Sequence, residues 1–298
     1  KNKNIYCDYR KRFMNKTMSV AEELLYSTVK ITAYLNGKAH STGTGFFTAF
    51  DNDGENCFLA LVTNKHVIEK SDQIKIICHV KNNEGEPSGN FVELSIGIND
   101  KQVIYHPDTK IDLCAISIAG LINQAIDQGM PIFYKFLDLS LIPNTDDWQY
   151  FDAIEEVTMI GCPNGISDEV NHLPIIRKGI TASSLAKLYN GKQEFMVDMA
   201  CFPGSSGSPI FLYDKKGYLD RKTNTYYMDK SRIHLVGILY AGPLIKNNGQ
   251  VILAQPPQVT VAAMMHLGNA IRSTELHVLN DEVRKFKSTL ISAQVQNS

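Results

Sequence analysis

Residues 203–212 read Pro203-Gly204-Ser205-Ser206-Gly207-Ser208-Pro209-Ile210-Phe211-Leu212. Two glycines around paired serines permit a tight turn that larger side chains would block. Such a turn projects the hydroxyl of Ser206 and can aim the backbone N–H groups of Gly204 and Ser206 at one point, which is the geometry of an oxyanion hole. A Gly/Ser cluster alone is as readily an ordinary loop. A serine hydroxyl is a poor nucleophile near neutral pH, so a catalytic reading of this turn requires a base elsewhere in the chain. Leu61-Val62-Thr63-Asn64-Lys65-His66-Val67-Ile68 places His66 where an apolar run gives way to polar residues, a position from which its ring can reach a cleft. The base in turn needs a group that fixes its tautomer and stabilises the imidazolium. In Ile111-Asp112-Leu113-Cys114-Ala115-Ile116-Ser117-Ile118 the alternation puts Asp112 on one face with Cys114, Ile116 and Ile118, in a strand apolar on both sides. A carboxylate there is costly unless it is paired or hydrogen-bonded, which makes Asp112 the candidate partner of His66.

Outward from these three segments the pattern is β. Val29, Ile31, Ala33 and Leu35 alternate with polar residues, as do Ile74 to Val80 and Val92 to Ile98. Turn clusters such as Asp51-Asn52-Asp53-Gly54 and Asn82-Asn83-Glu84-Gly85 separate them, at the spacing of a barrel or sandwich. Ser19-Val20-Ala21-Glu22 has capping-box spacing and predicts a helix from Val20 to Ser27. The chain divides into a basic arm (1–17), a first β unit with its leading helix (18–130), a connection (131–150), a second β unit (151–273) and a terminal helix and tail (274–298). In the second unit strands are predicted at Val157–Ile160, Ile175–Ile176, Glu194–Ala200, His234–Tyr240, Val251–Ala254 and His266–Ile271. A hairpin or loop insertion is predicted over 215–232, and a helix over Thr274–Lys287.

With 298 residues, 44% of them hydrophobic and 20% charged, the chain can bury a sizeable core. Thirty Lys+Arg against 31 Asp+Glu give a formal charge of −1, which leaves no electrostatic footprint for nucleic acid outside the arm at 1–17. No apolar run approaches the 18 or more residues of a membrane span. Six dispersed cysteines without a C-x-x-C pair read as buried thiols, and the scattered His and Cys supply no zinc site. No metal or organic cofactor is expected. The visible chain carries no signal core, which leans toward the cytoplasm, although its start at Lys1 leaves room for a removed signal peptide. Oligomeric state is not legible.

Taken together, Thr42-Gly43-Thr44-Gly45-Phe46-Phe47, Val62 to Val67, Asp112 to Ala115, Ile160-Gly161-Cys162-Pro163-Asn164-Gly165 and Asp198 to Pro209 resemble, in order, the motifs of chymotrypsin-fold serine peptidases. The look is that of the HtrA-like and glutamyl-endopeptidase-like bacterial branches. The resemblance spans about residues 28–275 and implies an all-β fold of two six-stranded antiparallel barrels, with His66, Asp112 and Ser206 as a triad in the cleft between them. It implies a serine endopeptidase acting on peptides or proteins through an acyl-enzyme, with the alternative of a pseudoprotease that binds peptides without cutting. Ser205 stands where digestive members carry an aspartate, so activation by a freed amino terminus is not expected. Ser208 stands where glycine is usual, which would narrow the room near the site. The 27 residues after Ile271 are too few for a PDZ domain. The resemblance also places Ala200 at the base of the primary specificity pocket with Cys201 beside it, and gives Tyr240-Ala241-Gly242 the segment that pairs with substrate backbone. Neither Ala200 nor Cys201 is acidic, and Leu239 replaces the histidine of glutamate-cleaving members. A small or medium apolar side chain before the scissile bond is the remaining expectation.

Overall fold

The computed structural model describes residues 18–99, 102–242, 244–250 and 258–296. The arm at 1–17 and the strand expected at Val251–Ala254 lie outside them. The capping box forms as read: Ser19 N–H donates to the Glu22 carboxylate at 2.6 Å, and Glu22 N–H donates to Ser19 Oγ at 3.3 Å. It opens helix α1 (Val20–Leu25). The alternating segments of the first half become β1 (Thr28–Leu35), β4 (Gln73–Lys81), β5 (Pro87–Gly97) and β7 (Cys114–Ser117); with them stand β2 (Lys38–Phe50), β3 (Phe58–Thr63) and β6 (Val103–Tyr105), the short β8 (Ile132–Phe133) and β9 (Leu137–Asp138) within the stretch read as a connection, and helices α2 (Lys65–Ile68) and α3 (Ala119–Asp127).

These strands join as β5-β4-β1-β2-β3-β7-β6, with β8 beside β4 and β9 beside β2. A closed six-stranded barrel was the expectation here, and the sheet has nine strands and open edges instead. Among the described residues no ladder joins β5 to β6. β6 has only three residues and pairs with β7 on one edge. The sheet curls around Ile31, Ile74, Ile76, Ile96, Val103 and Ile116, and α3 packs Ile122 and Ala125 into the same core.

The second half does close. Its strands are β10 (Glu156–Gly161), β11 (Ile175–Thr181), β12 (Glu194–Asp198), β13 (Pro209–Asp214), β14 (Gly217–Asp220), β15 (Thr225–Met228), β16 (Arg232–Ala241), β17 (Leu244–Gln250), β18 (Gln258–Met264) and β19 (Leu267–Arg272). Six of them form the antiparallel barrel β10-β11-β12-β19-β16-β13, filled by Val157, Met159, Phe195, Val197, Ile210, Leu212 and Val236. β14 and β15 make the hairpin expected over 215–232, and β17 pairs with β18 as a second hairpin.

Helix α4 (Glu275–Gln296) is longer than the sequence pattern suggests. Although it follows the barrel in sequence, it sits on the first half. Leu276, Leu279 and Val283 are fully buried in one cluster with Ile104, Ile111 and Leu113. At about 1.5–3 kcal/mol per buried aliphatic side chain, these three are enough to hold the helix in place. His106 Nε2 lies 3.1 Å from Glu275 Oε2, with both side chains largely buried, and ties the first turn of α4 to the segment before Asp112. The same cluster contains Phe46 and Val62 from the first half and Ile160, Phe211 and Ile238 from the barrel, so the halves share a core. Among the described residues no helix is long and apolar enough to cross a membrane. Among the described residues, Cys78, Cys114, Cys162 and Cys201 are buried free thiols. Burial pushes Cys78 and Cys162 up to about 12 and Cys201 up to about 11, so these three stay protonated near neutral pH.

Candidate active site

His66 is presented by the single turn α2 directly after β3. Val67 and Ile68 are buried in the first core, and Lys65 Nζ donates to the carbonyls of His106 at 3.1 Å and Asp108 at 3.2 Å. With its neighbours anchored on both sides, His66 is left facing outward, its side chain 43% exposed. Asn64, at the start of the turn, is fully buried and donates from Nδ2 to the Asp112 carbonyl at 2.7 Å.

Asp112 is not on a strand. β7 begins at Cys114, and 111–113 is a turn in which Leu113 N–H donates to Ile111 O at 3.0 Å. Ile111 and Leu113 are buried and Asp112 points the other way, so its carboxylate, 23% exposed, avoids the apolar setting that strand alternation implied. It is satisfied twice by His66: Oδ1 accepts the backbone N–H at 3.1 Å, and Oδ2 lies 2.5 Å from Nδ1. That pairing leaves Nε2 as the free nitrogen of the ring.

Every peptide unit of the Ser206 turn is fixed by a named bond. A trans peptide points its C=O and N–H in opposite directions, so holding one orients the other. Pro203 O accepts Asn164 N–H at 2.5 Å, Gly204 O accepts the Thr44 hydroxyl at 2.9 Å, Ser205 O accepts Ser208 N–H at 3.0 Å, and Ser206 O accepts Thr44 N–H at 2.8 Å. Ser205 N–H and Gly207 N–H are taken by Phe202 O at 3.0 Å and Leu239 O at 2.8 Å. Among the described residues, the N–H groups of Gly204 and Ser206 have no protein acceptor. Gly204 (φ +84°) and Gly207 (φ +89°) are in the left-handed region that glycine tolerates. A Cβ at Gly204 would also fall 2.7 Å from Cys162 O, and one at Gly207 would overlap Thr44 O.

Ser206 Oγ donates to Tyr240 O at 3.4 Å, and no hydrogen bond joins it to His66. Tyr240 sits at an irregularity between Leu239 and Ala241 where β16 loses register with β19. Beside Ser206 is a pocket of about 190 Å³ lined by Cys201, Phe202, Pro203, Leu239, Ala241 and Gly242. Of the two residues expected at the pocket, Cys201 lines it. Ala200 does not, and turns its carbonyl to Arg177 Nη1, 2.5 Å away. Of the segment expected to pair with substrate backbone, Ala241 and Gly242 reach the pocket and Tyr240 contributes its carbonyl to Ser206. Arg177 lies behind the wall, its guanidinium 4.9 Å from the Phe202 ring centre. Ser208 does not narrow the cleft. It is fully buried, with its Oγ in the space left by the missing side chain of Gly161. Ser205 is likewise fully buried.

Thr44, Asn64 and Asn164 have no role in the sequence reading, although all three lie within the segments that carry the resemblance. Their signal is weak, because a polar residue at the end of an apolar run reads as a turn until its burial is known.

A family model described as trypsin-like peptidase domain matches residues 43–219. No curated protein matches the chain. Similar solved structures include an inactive mutant form of Rv3671c from M. tuberculosis, 13% identical over 91% of this chain and 90% of that one, with a TM-score of 0.44. They also include the serine endoprotease from Yersinia pestis, at 15% identity, 93% and 67% coverage and a TM-score of 0.45. A third is the thermostable serine protease AL20 from an extremophilic microorganism, at 12% identity, 86% and 96% coverage and a TM-score of 0.44. The matched segment takes in more than half of the chain and contains the second part of β2, the His66 turn, Asp112 and Ser206, and on that match the chain belongs to the trypsin-like peptidase family.

Proposed function

We propose that this family member is an active serine endopeptidase in which Ser206 is the nucleophile, His66 the general base and Asp112 the residue that orients His66. The observation that carries the reading is the pair of unclaimed N–H donors on Gly204 and Ser206, on a turn bonded through Thr44 to Thr63, three residues before a histidine already fixed by a carboxylate. In this mechanism Ser206 rotates from Tyr240 O toward His66 Nε2. Catalytic hydrogen bonds in a ligand-free site are commonly long and tighten with substrate. Nε2 takes the hydroxyl proton as Oγ attacks a peptide carbonyl, and the tetrahedral oxyanion is held by the two N–H groups. Collapse breaks the C–N bond, and the imidazolium returns its proton to the leaving amine. Water then attacks the acyl-enzyme with the same base, releasing the acid and restoring Ser206. The hole needs no amino-terminal insertion in this reading, since Asn164 N–H already holds Pro203 O.

A second reading has one observation in its favour: the Ser206 hydroxyl rests on Tyr240 rather than on His66. The protein would then bind extended peptides without cutting them. A fluorophosphonate probe decides between the two. Labelling of Ser206 in folded protein supports the peptidase, and its absence supports the binding module.

The pocket wall carries no charged side chain. A peptide library should therefore be cut after small or medium apolar residues at least about 10-fold faster than after Lys, Arg, Asp or Glu, the scale on which hydrophobic pockets discriminate. Cleavage sites clustering after charged residues would overturn this assignment.

A further inference from the structure

Thr44 belongs to β2 in the first half, yet its polar atoms are spent on two loops of the second. Its N–H donates to Ser206 O at 2.8 Å, and its hydroxyl donates to Gly204 O at 2.9 Å while accepting Cys162 N–H at 2.9 Å. Its own carbonyl is clamped by the Thr63 hydroxyl at 2.7 Å, and both threonines are fully buried. Cys162 opens the turn 163–165, whose Asn164 N–H fixes Pro203 O. One hydroxyl thus sets the distance between the turn that orients the Gly204 N–H and the loop that carries it.

We propose that Thr44 is a positioning residue of the oxyanion site, with its side-chain hydroxyl holding the two loops in the register at which Gly204 N–H faces the cleft. This rests on the peptidase reading above. Without the hydroxyl, the Gly204 carbonyl and the Cys162 N–H are buried and unpartnered. The 204–205 peptide can then rotate toward another donor and carry the adjoining 203–204 unit with it. Ground-state binding in the side-chain pocket is untouched, because Thr44 lines no part of it.

The test compares wild type with Thr44→Val, Thr44→Ala and Thr44→Ser on a fluorogenic peptide with an apolar residue before the scissile bond, and on a matching peptidyl boronate. Thr44→Val keeps the volume and removes the hydroxyl. It should lower kcat about 10- to 100-fold, somewhat less than outright loss of one oxyanion donor. KM should stay within about 3-fold, and affinity for the boronate, whose oxygen occupies the hole, should fall with kcat. Thr44→Ser, which keeps the hydroxyl, should restore both to within about 3-fold of wild type. Thr44→Ala leaves space for a water and supplies the measurement if the valine variant does not fold. A merely structural role would lower the melting temperature and leave kcat and boronate affinity per folded molecule unchanged, which overturns the proposal. A wild type that neither turns over peptide nor labels with fluorophosphonate brings down the peptidase reading and this proposal together. An active wild type matched by Thr44→Val brings down only this one.

Discussion

Replacing Ser206 with alanine should lower peptide turnover by about 10⁶, because members of a nucleophile–base–orienter unit fail together when one is removed. The fold should be indifferent to the change. The Ser206 hydroxyl makes one long hydrogen bond, 3.4 Å to Tyr240 O, and the carbonyl that anchors the turn to Thr44 stays in place. The Ser206 N–H also survives, so whatever oxyanion stabilisation exists persists and accounts for any residual rate over water. The measurement is kcat of the purified variant beside its thermal melt. A variant that retains more than about 1% of wild-type turnover would falsify the nucleophile assignment.

Asp112→Asn is the second large effect, expected at about 10⁴ in turnover by the logic of the wrong histidine tautomer. The structure says which way the new amide must point. His66 N–H donates to Oδ1 at 3.1 Å, so the amide oxygen is required there and the NH₂ is forced to the position of Oδ2, 2.5 Å from Nδ1. An NH₂ donating to Nδ1 leaves the ring proton on Nε2, where it cannot accept from Ser206. The Asn64 bond to the Asp112 carbonyl is unaffected, so the turn keeps its shape. The fluorophosphonate labelling rate should drop with kcat, since both report activation of the same hydroxyl. An unchanged labelling rate would mean that His66 does not act on Ser206 at all.

The strand-rich architecture is legible in the sequence because alternation at Val29–Leu35 and Ile74–Val80 requires only that one face be buried. Closure is less legible. Whether the three-residue β6 meets β5 depends on how long that strand runs, and no periodicity reports that. The displacement of Asp112 from strand to turn has a similar cause. Ile111 and Leu113 are both buried, and alternating apolar residues look the same in a tight turn as in a strand. At the Ser206 turn the glycine spacing is informative because positive φ and close approach leave few other residues. The bonds that orient the turn come from Thr44 and Asn164, 160 and 39 positions away, and such partners become visible only once the chain is folded.

Helix α4 is the last described element, yet it completes the interior of the half that is made first. A growing chain therefore emerges with Ile104, Ile111 and Leu113 lacking the part of their cover that Leu276, Leu279 and Val283 supply, until translation has passed residue 283. Until then the segment leading to Asp112 also lacks the contact between His106 and Glu275. Nascent chains arrested before Glu275 should be degraded readily by added thermolysin, whereas those carrying α4 clear of the exit tunnel should resist. Equal resistance would show that the first half matures without its late-made cover.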